Sequence, residues 1–242
     1  MRIAMFSDIH GNLAALEAVL ADQAQQKPVD QIAIGGDLVF GGPRPREVMA
    51  RLRGLGAAIV RGNTDEMVVE ASSRAKEGLS DSQARMDDWA WWAKGMILTE
   101  DLQYLRQLPF CWSLRPDDGG ELLLVHATPQ STSETIRPAA EDEAYSEALA
   151  RTSAAVIACG HVHHAFHRSF SDRLWLNLGS VGLPFDGDNR APYTIFELAL
   201  GKWHFARHRV AYDVEAVVSD MFAQGLPHAH NRARILRSAR FH

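Results

Sequence analysis

The sequence is short of cysteine. It has two, Cys111 and Cys159, too few for a disulfide framework. Each adjoins an apolar run and reads as a buried free thiol of a reducing compartment. No apolar run approaches the roughly 20 residues that span a bilayer, so no membrane association is expected. Asp8 and His10 interrupt the first apolar stretch, the wrong pattern for a secretory leader, and the expected setting is the cytoplasm. Basic residues are not in excess. The formal net charge is −5, and without a long basic stretch no stable nucleic-acid binding is expected. The turn at Gly35-Gly36 lacks the G-x-G-x-x-G spacing, which excludes a dinucleotide loop. Repeats, low-complexity tracts and linkers are also missing. The 242 residues, 46% hydrophobic and 23% charged, therefore read as one domain, 1–242, large enough for a substantial core.

What is present is an alternation of short apolar strands and helices. Strands are expected at 3–6, Gln31–Ile34 and 57–60, with helices at 12–25 and 45–52 between them. This spacing argues for βαβ units and a mostly parallel sheet. Residues 64 to about 108 read as a helical insertion. Trp89, Trp92 and Met96 recur there at i, i+3 and i+7, a helix face packed on the core rather than a ligand platform. Cys111–Leu114 and Leu122–Val125 flank a Pro-Asp-Asp-Gly-Gly turn and read as a hairpin. A helix at 141–150 and a fully apolar strand at 154–159 follow. The later strands, 165–170, 174–178, 193–198 and 203–210, look more antiparallel, and helices close the chain over about 214–236.

Five apolar strands each end in a residue able to bind metal. The first is followed by Asp8 and His10, the second by Asp37, the third by Asn63, the next by His126, and the last by His161 and His163. Positions i and i+2 of an extended chain share a side, so Asp8 and His10 are expected to converge on one ion. Ligands of open α/β sheets gather outside the carboxyl ends of strands, and one sheet edge would collect all seven. Imidazole and carboxylate suit divalent transition ions. Seven residues exceed what one octahedral ion takes while keeping a water; they suit two ions if one carboxylate bridges, and Asp37 in its glycine-flanked loop is placed to do so.

The ordered set Asp8-Ile9-His10, Gly36-Asp37, Gly62-Asn63, Val125-His126 and Gly160-His161-Val162-His163 resembles the motifs of the calcineurin-like metallophosphoesterase superfamily. The run Asn177-Leu178-Gly179-Ser180-Val181-Gly182, continued by 186–191, is similar to a segment of its small prokaryotic phosphodiesterase branch, with leucine at 178 where that branch usually has proline. The resemblance implies an α/β fold, a four-layer α-β-β-α sandwich with mixed sheets. It implies a dinuclear site of two divalent transition metal ions, manganese first, with iron, zinc or nickel compatible. Carried over by motif, one ion takes Asp8, His10, Asp37 and His163, and the other Asp37, Asn63, His126 and His161. The implied activity is phosphoester hydrolysis, a phosphodiesterase rather than a general phosphatase, by attack of a hydroxide bridging the ions.

One departure bears on mechanism. Many members carry histidine after the Gly-Asn pair; here the residue is Thr64. Protonation of a poor leaving group then needs another source, for which His164 and the Asp65-Glu66 pair are candidates. His164, adjacent to His163, should point away from it in an extended segment. Arg190 and His164 are the candidate substrate contacts, each weighed against a solvated role. Arg61 reads as half of a salt bridge, Ser7 and Asn12 as loop support or a helix cap, Trp175 as core, and His167 and His204 as strand histidines. His208, His228, His230 and His242 carry no signal. The partner is a phosphoester substrate. A nucleotide or phosphoprotein monoesterase is the alternative reading, and a phosphate-binding scaffold without turnover the competing one.

Overall fold

The computed structural model describes residues 1–72 and 78–241. In chain order these form β1 (Arg2–Phe6), α1 (Leu13–Gln25), β2 (Gln31–Ile34), α2 (Pro45–Arg53), β3 (Ala58–Ile59) and α3 (Asn63–Glu70). Then come α4 (Asp81–Met96), α5 (Thr99–Gln107), β4 (Cys111–Leu114), β5 (Leu122–Val125), α6 (Asp142–Leu149) and β6 (Val156–Cys159). The last six are β7 (Ala165–Phe170), β8 (Arg173–Leu178), β9 (Ala191–Ala199), β10 (Lys202–Val210), α7 (Val214–Ala223) and α8 (Ala229–Ser238). The expected helical region 64–108 is α3, α4 and α5, with 73–77 outside the described residues.

The strands form two five-stranded sheets. One has the order β10-β9-β1-β2-β3 and the other β4-β5-β6-β8-β7. In the first, β1-β2 and β2-β3 are parallel, and the β9-β10 hairpin is added antiparallel to β1. In the second, β5, β6 and β8 are parallel, with β4 and β7 antiparallel at the edges. The later half is the more antiparallel one, as its short strands suggest, with β5-β6 and β6-β8 as its parallel pairings.

Period-two alternation explains why the central strands are apolar throughout. Ile3 and Met5 of β1, Leu122 and Leu124 of β5, and Leu176 and Leu178 of β8 fill the space between the sheets. The opposite faces of β5, β6 and β8 turn Val125, Ile157 and Trp175 onto Tyr145 and Leu149 of α6. Phe6 and Ile34 face the other way, against Leu16 and Val19 of α1, Trp89 of α4 and Met221 of α7. Helices thus cover both outer faces, and the layers run α-β-β-α. Trp89 is buried in that packing and its indole N–H donates to the Pro227 carbonyl at 2.6 Å, so the aromatic helix face is core. Among the described residues no helix is long and apolar enough to cross a membrane.

Local chemistry sets the helix starts. Asn12 Oδ1 accepts the Ala15 N–H at 3.1 Å and caps α1. Pro45 opens α2, where its missing N–H costs nothing. Ser80 and Gln83 form a capping box on α4. The cysteine expectation needs correction at one position. Both thiols are free, Cys159 is buried, and Cys111 is exposed, because β4 is an edge strand and Cys111 lies on its outward side.

Leu124 is fully buried between the sheets, whereas Leu200 stands in water in the β9-β10 turn. Leu124→Ala should lower unfolding free energy by about 2–5 kcal/mol, and Leu200→Ala should change it by no more than about 0.5 kcal/mol. Urea denaturation of the two variants checks the contrast.

Candidate metal centre

The strand ends bring together residues from both sheets. Asp8 and His10 follow β1, Asp37 follows β2, and Asn63 opens α3 just beyond β3. His126 follows β5, and His161 and His163 follow β6. The single sheet edge expected from sequence is therefore two facing edges, since β5 and β6 pair with each other and not with β1.

The backbone reaches this arrangement by an unexpected route. Asp8 (φ 57°), His10 (φ 50°), Asp37 (φ 54°), His161 (φ 68°) and His163 (φ 57°) are all left-handed. The extended geometry expected to align Asp8 with His10 does not exist; tight turns after the strands swing both side chains inward. His164 likewise lies apart from the cluster without an extended segment to account for it. Left-handed conformations cost roughly 1–3 kcal/mol each outside glycine and persist where surrounding structure holds them.

Four residues, Asp8, His10, Asp37 and His163, each offer one ligand atom, all within 4.8 Å of one another, and all four are buried. Backbone carbonyls fix the ring protons. His10 Nδ1 donates to Phe40 O at 2.8 Å, His126 Nδ1 to Gly35 O at 2.6 Å, and His163 Nδ1 to Leu183 O at 2.6 Å. A carbonyl can only accept, so Nδ1 carries the proton and Nε2 is a bare lone pair in each neutral ring. Those lone pairs converge. Nε2 of His10 and of His163 are 3.1 Å apart. His163 Nε2 is 3.1 Å from Asp8 Oδ1, and His10 Nε2 is 3.6 Å from Asp37 Oδ2.

A second convergence adjoins the first. His126 Nε2 lies 2.9 Å from Asn63 Oδ1 and 3.5 Å from Asp37 Oδ1. His161 uses its other nitrogen: Nδ1 is 3.0 Å from Asn63 Oδ1, and Nε2 is 3.1 Å from Thr135 Oγ1. Acceptors facing acceptors in a buried site repel unless a cation lies among them. The donor set, imidazole with carboxylate and amide oxygen, is the chemistry of divalent metal binding.

Proton affinities carry the same message. Burial pushes the His126 ring down, but the Asp37 and Asp8 carboxylates outweigh it and hold the ring above its ordinary value; positive charge is called for at that point. Burial, with the His163 ring beside it, drops His10 to about 4. Burial would raise Asp8, yet the charge and hydrogen bond of His163 bring it well below the usual carboxylate range. Burial and the neighbouring Asp37 raise Asp65 to about 7.

A family model described as the calcineurin-like phosphoesterase superfamily domain matches residues 1–200. The chain belongs to this superfamily. An uncharacterised protein of Methanocaldococcus jannaschii is 31% identical over 93% of both chains. The solved metallophosphoesterase of Sphaerobacter thermophilus is 31% identical, covers 99% of each chain and superposes with a TM-score of 0.78. A symmetrical bis(5'-nucleosyl)-tetraphosphatase of Pectobacterium carotovorum is 30% identical over 52% of this chain and 43% of its own.

Several supports of this phosphoesterase's centre were not visible as functional residues in the sequence. Asn177 Nδ2 donates to Gly160 O at 2.5 Å. Ser180 Oγ donates to Asp8 O at 2.7 Å, and the N–H groups of Val181 and Gly182 donate to Ser7 and Asp8 carbonyls at 2.9 and 3.0 Å. The segment 177–182, recognisable only by resemblance, is thus a strut beneath both ligand loops. Asp65 accepts N–H bonds from Gly62, Asp37 and Leu38 at 2.8–2.9 Å, so its carboxylate clamps the Asp37 loop and is not free as a proton donor. Glu66 pairs with Arg61 at 3.1 Å and accepts from Thr132. Arg190 is exposed and bound to Asp188 at 2.7 Å. Arg232 is buried, stacked 3.9 Å over Trp89, and burial lowers it to about 9; its place in a C-terminal helix gave no signal.

The glycines preceding Asn63 and His161 have a steric reason. A Cβ on Gly62 would overlap Asp37 Oδ1, and one on Gly160 would overlap Asp8 Oδ2 and Ser7 Oγ. Gly160→Ala should therefore weaken divalent-ion binding by at least about tenfold while the fold survives. Gly95 in α4 meets nothing within 4 Å, and Gly95→Ala should leave metal binding unchanged and add up to about 1 kcal/mol of stability. Titration calorimetry with Mn²⁺ and thermal melts read both.

Proposed function

We propose that this chain is a phosphodiesterase working with two divalent ions that share Asp37. One ion would be held by Asp8, His10, Asp37 and His163, the other by Asp37, Asn63, His126 and His161. The observation that carries this reading is the pair of adjacent acceptor clusters with a different oxygen of Asp37 turned toward each, Oδ2 to His10 and Oδ1 to His126. Bound ions would neutralise phosphoryl oxygens and acidify water near neutral pH. Two divalent ions against two carboxylates leave the site positive, which suits a phosphate in a protein of net charge −5. We read manganese as the first candidate metal, the cytoplasm as the setting, and 1–242 as one domain. Residues of α7 and α8 share the core of the first sheet, which supports the last point. The similarity of half the chain to a bis(5'-nucleosyl)-tetraphosphatase favours cleavage of a substituted phosphate over a phosphoprotein monoester.

The chain's own residues position rather than react. Thr64 N–H donates to Asp37 Oδ1 at 2.9 Å and Asp65 holds the same loop. The Thr64 hydroxyl is buried without a partner, and no histidine stands at that position to protonate a leaving oxygen.

Two tests follow. Elemental analysis at saturating Mn²⁺ should give two ions per chain, and Asp37→Asn should weaken both. His161→Ala and His163→Ala should each remove most turnover of a bis-aryl phosphate, whereas His164→Ala should keep the metal content; one ion or fewer in the unmodified protein overturns the dinuclear reading. For aryl esters, kcat/KM should fall steeply as leaving-group pKa rises. A general acid is worth roughly 10²–10⁴ in rate, most where the departing oxygen is most basic. Thr64→His should flatten the slope, and a flat slope in the unmodified protein, with chemistry rate-limiting, would mean that another acid is in place.

A further inference from the structure

A cavity of about 530 Å³ opens beside His161. Its wall includes Val162, Pro138 and Ala139, the rings of Phe185 and Phe241, and the polar side chains of Thr135, Arg137 and His164. The volume is that of a small-molecule site, and its lining differs from the centre it adjoins, being mostly apolar and aromatic.

The aromatic wall is continuous with the metal centre. The His10 and His163 rings are 4.8 Å apart. Phe185 stacks on His163 at 4.3 Å and 23°, and Phe241 lies 5.4 Å from Phe185. The ladder runs from two buried candidate ligands to a ring that is 71% exposed. Exposed phenylalanine at the mouth of an apolar cavity is an unsatisfied stacking surface. Beside it, the Arg137 guanidinium makes no ion pair among the described residues. His164 Nδ1 donates to Val162 O at 2.7 Å, which leaves its Nε2 a bare acceptor.

Resting on the metallophosphoesterase reading above, we propose that this cavity is the subsite for the organic group of the substrate, and that the group is a planar aromatic one, a nucleobase or an aryl ring. The chemistry that recognises it is stacking on Phe185 and Phe241, with Arg137 available to an anionic group on the same molecule. His161 belongs both to the cavity wall and to the Asn63-His126 cluster. A phosphorus centre held at that cluster therefore carries its ester substituent directly into the cavity. Sugar phosphates, phosphoserine and phosphothreonine offer no flat face to this wall.

The test compares product-type ligands on the Mn²⁺-loaded protein by titration calorimetry: adenosine 5'-monophosphate, phenyl phosphate, ribose 5-phosphate and inorganic phosphate. Base stacking on aromatic side chains supports a preference of about tenfold or more. The monophosphate and phenyl phosphate should bind at least about tenfold tighter than ribose 5-phosphate. Binding of only one of the two assigns the cavity to a base or to an aryl ring. Phe241→Ala and the cavity-filling Ala139→Trp should each shrink that preference to below about threefold, with inorganic phosphate affinity and metal uptake unchanged. Saturation-transfer NMR should show the adenine protons in contact in the unmodified protein and not in Ala139→Trp. Equal affinity for all organic phosphates, or a preference untouched by both variants, overturns the subsite. Absence of phosphate binding would count against the metal-centred reading instead, and the adenine saturation signal still decides the subsite in that sample.

Discussion

The constraint on which the rest of the structure depends is the mutual exposure of lone pairs at the centre. Three rings have their protons tied to backbone carbonyls of Phe40, Gly35 and Leu183, and so present bare nitrogens to carboxylates that are themselves acceptors only. Nothing in such a cluster holds itself together. The surrounding fold must press it into shape, and a cation must then repay the pressing. That accounts for the unusual backbone: five of the seven candidate ligands are left-handed, each in a turn immediately after a strand. It also accounts for the density of support around the loops, where Asp65, Asn177 and Ser180 spend buried hydrogen-bonding capacity on holding main chain in place.

The four layers serve the same end. Two sheets packed face to face carry their parallel strands β1, β2, β5 and β6 to a common edge, and the apolar residues between them, such as Met5, Leu124 and Ala158, leave the strands no freedom to shift register. A one-residue slip would exchange the faces of every strand and with them the directions of the loops beyond. Precision at the centre is thus inherited from packing between the sheets, where no polar group is needed.

How much of this could be read from the sequence follows from the range of the interactions. Strands ending in Gly-Asp, Gly-Asn or Gly-His are local patterns, and the structure brings all seven named residues to one place. The partition into two sheets is not local: β6 pairs with β5 and β8, and the apolar run that makes β6 fits any buried parallel strand equally well. The left-handed residues were invisible because Asp and His carry no propensity strong enough to announce such a turn. Cys111 was misjudged because apolar neighbours do not distinguish an edge strand from a central one. Arg232 lies 192 positions from Phe40, whose ring it faces, and Phe241 lies 56 positions from Phe185, and no motif ties either to the centre.

The replacement of histidine by Thr64 and the aromatic cavity beside His161 bear on one another. A site without a proton donor at the Asn63 loop is best served by substrates whose departing group accepts charge unaided. Aryl oxyanions do so, and they also present a flat face to Phe185 and Phe241. Phosphodiesters of simple alcohols meet neither condition: their leaving oxygen is basic, and their aliphatic chain gains little from stacked rings. The cavity and the missing histidine therefore select in the same direction, the one through binding and the other through the barrier. Placing histidine at 64 should relax only the second of these, extending turnover to poorer leaving groups while the preference for a planar substituent, set by Phe185 and Phe241, stays where it was.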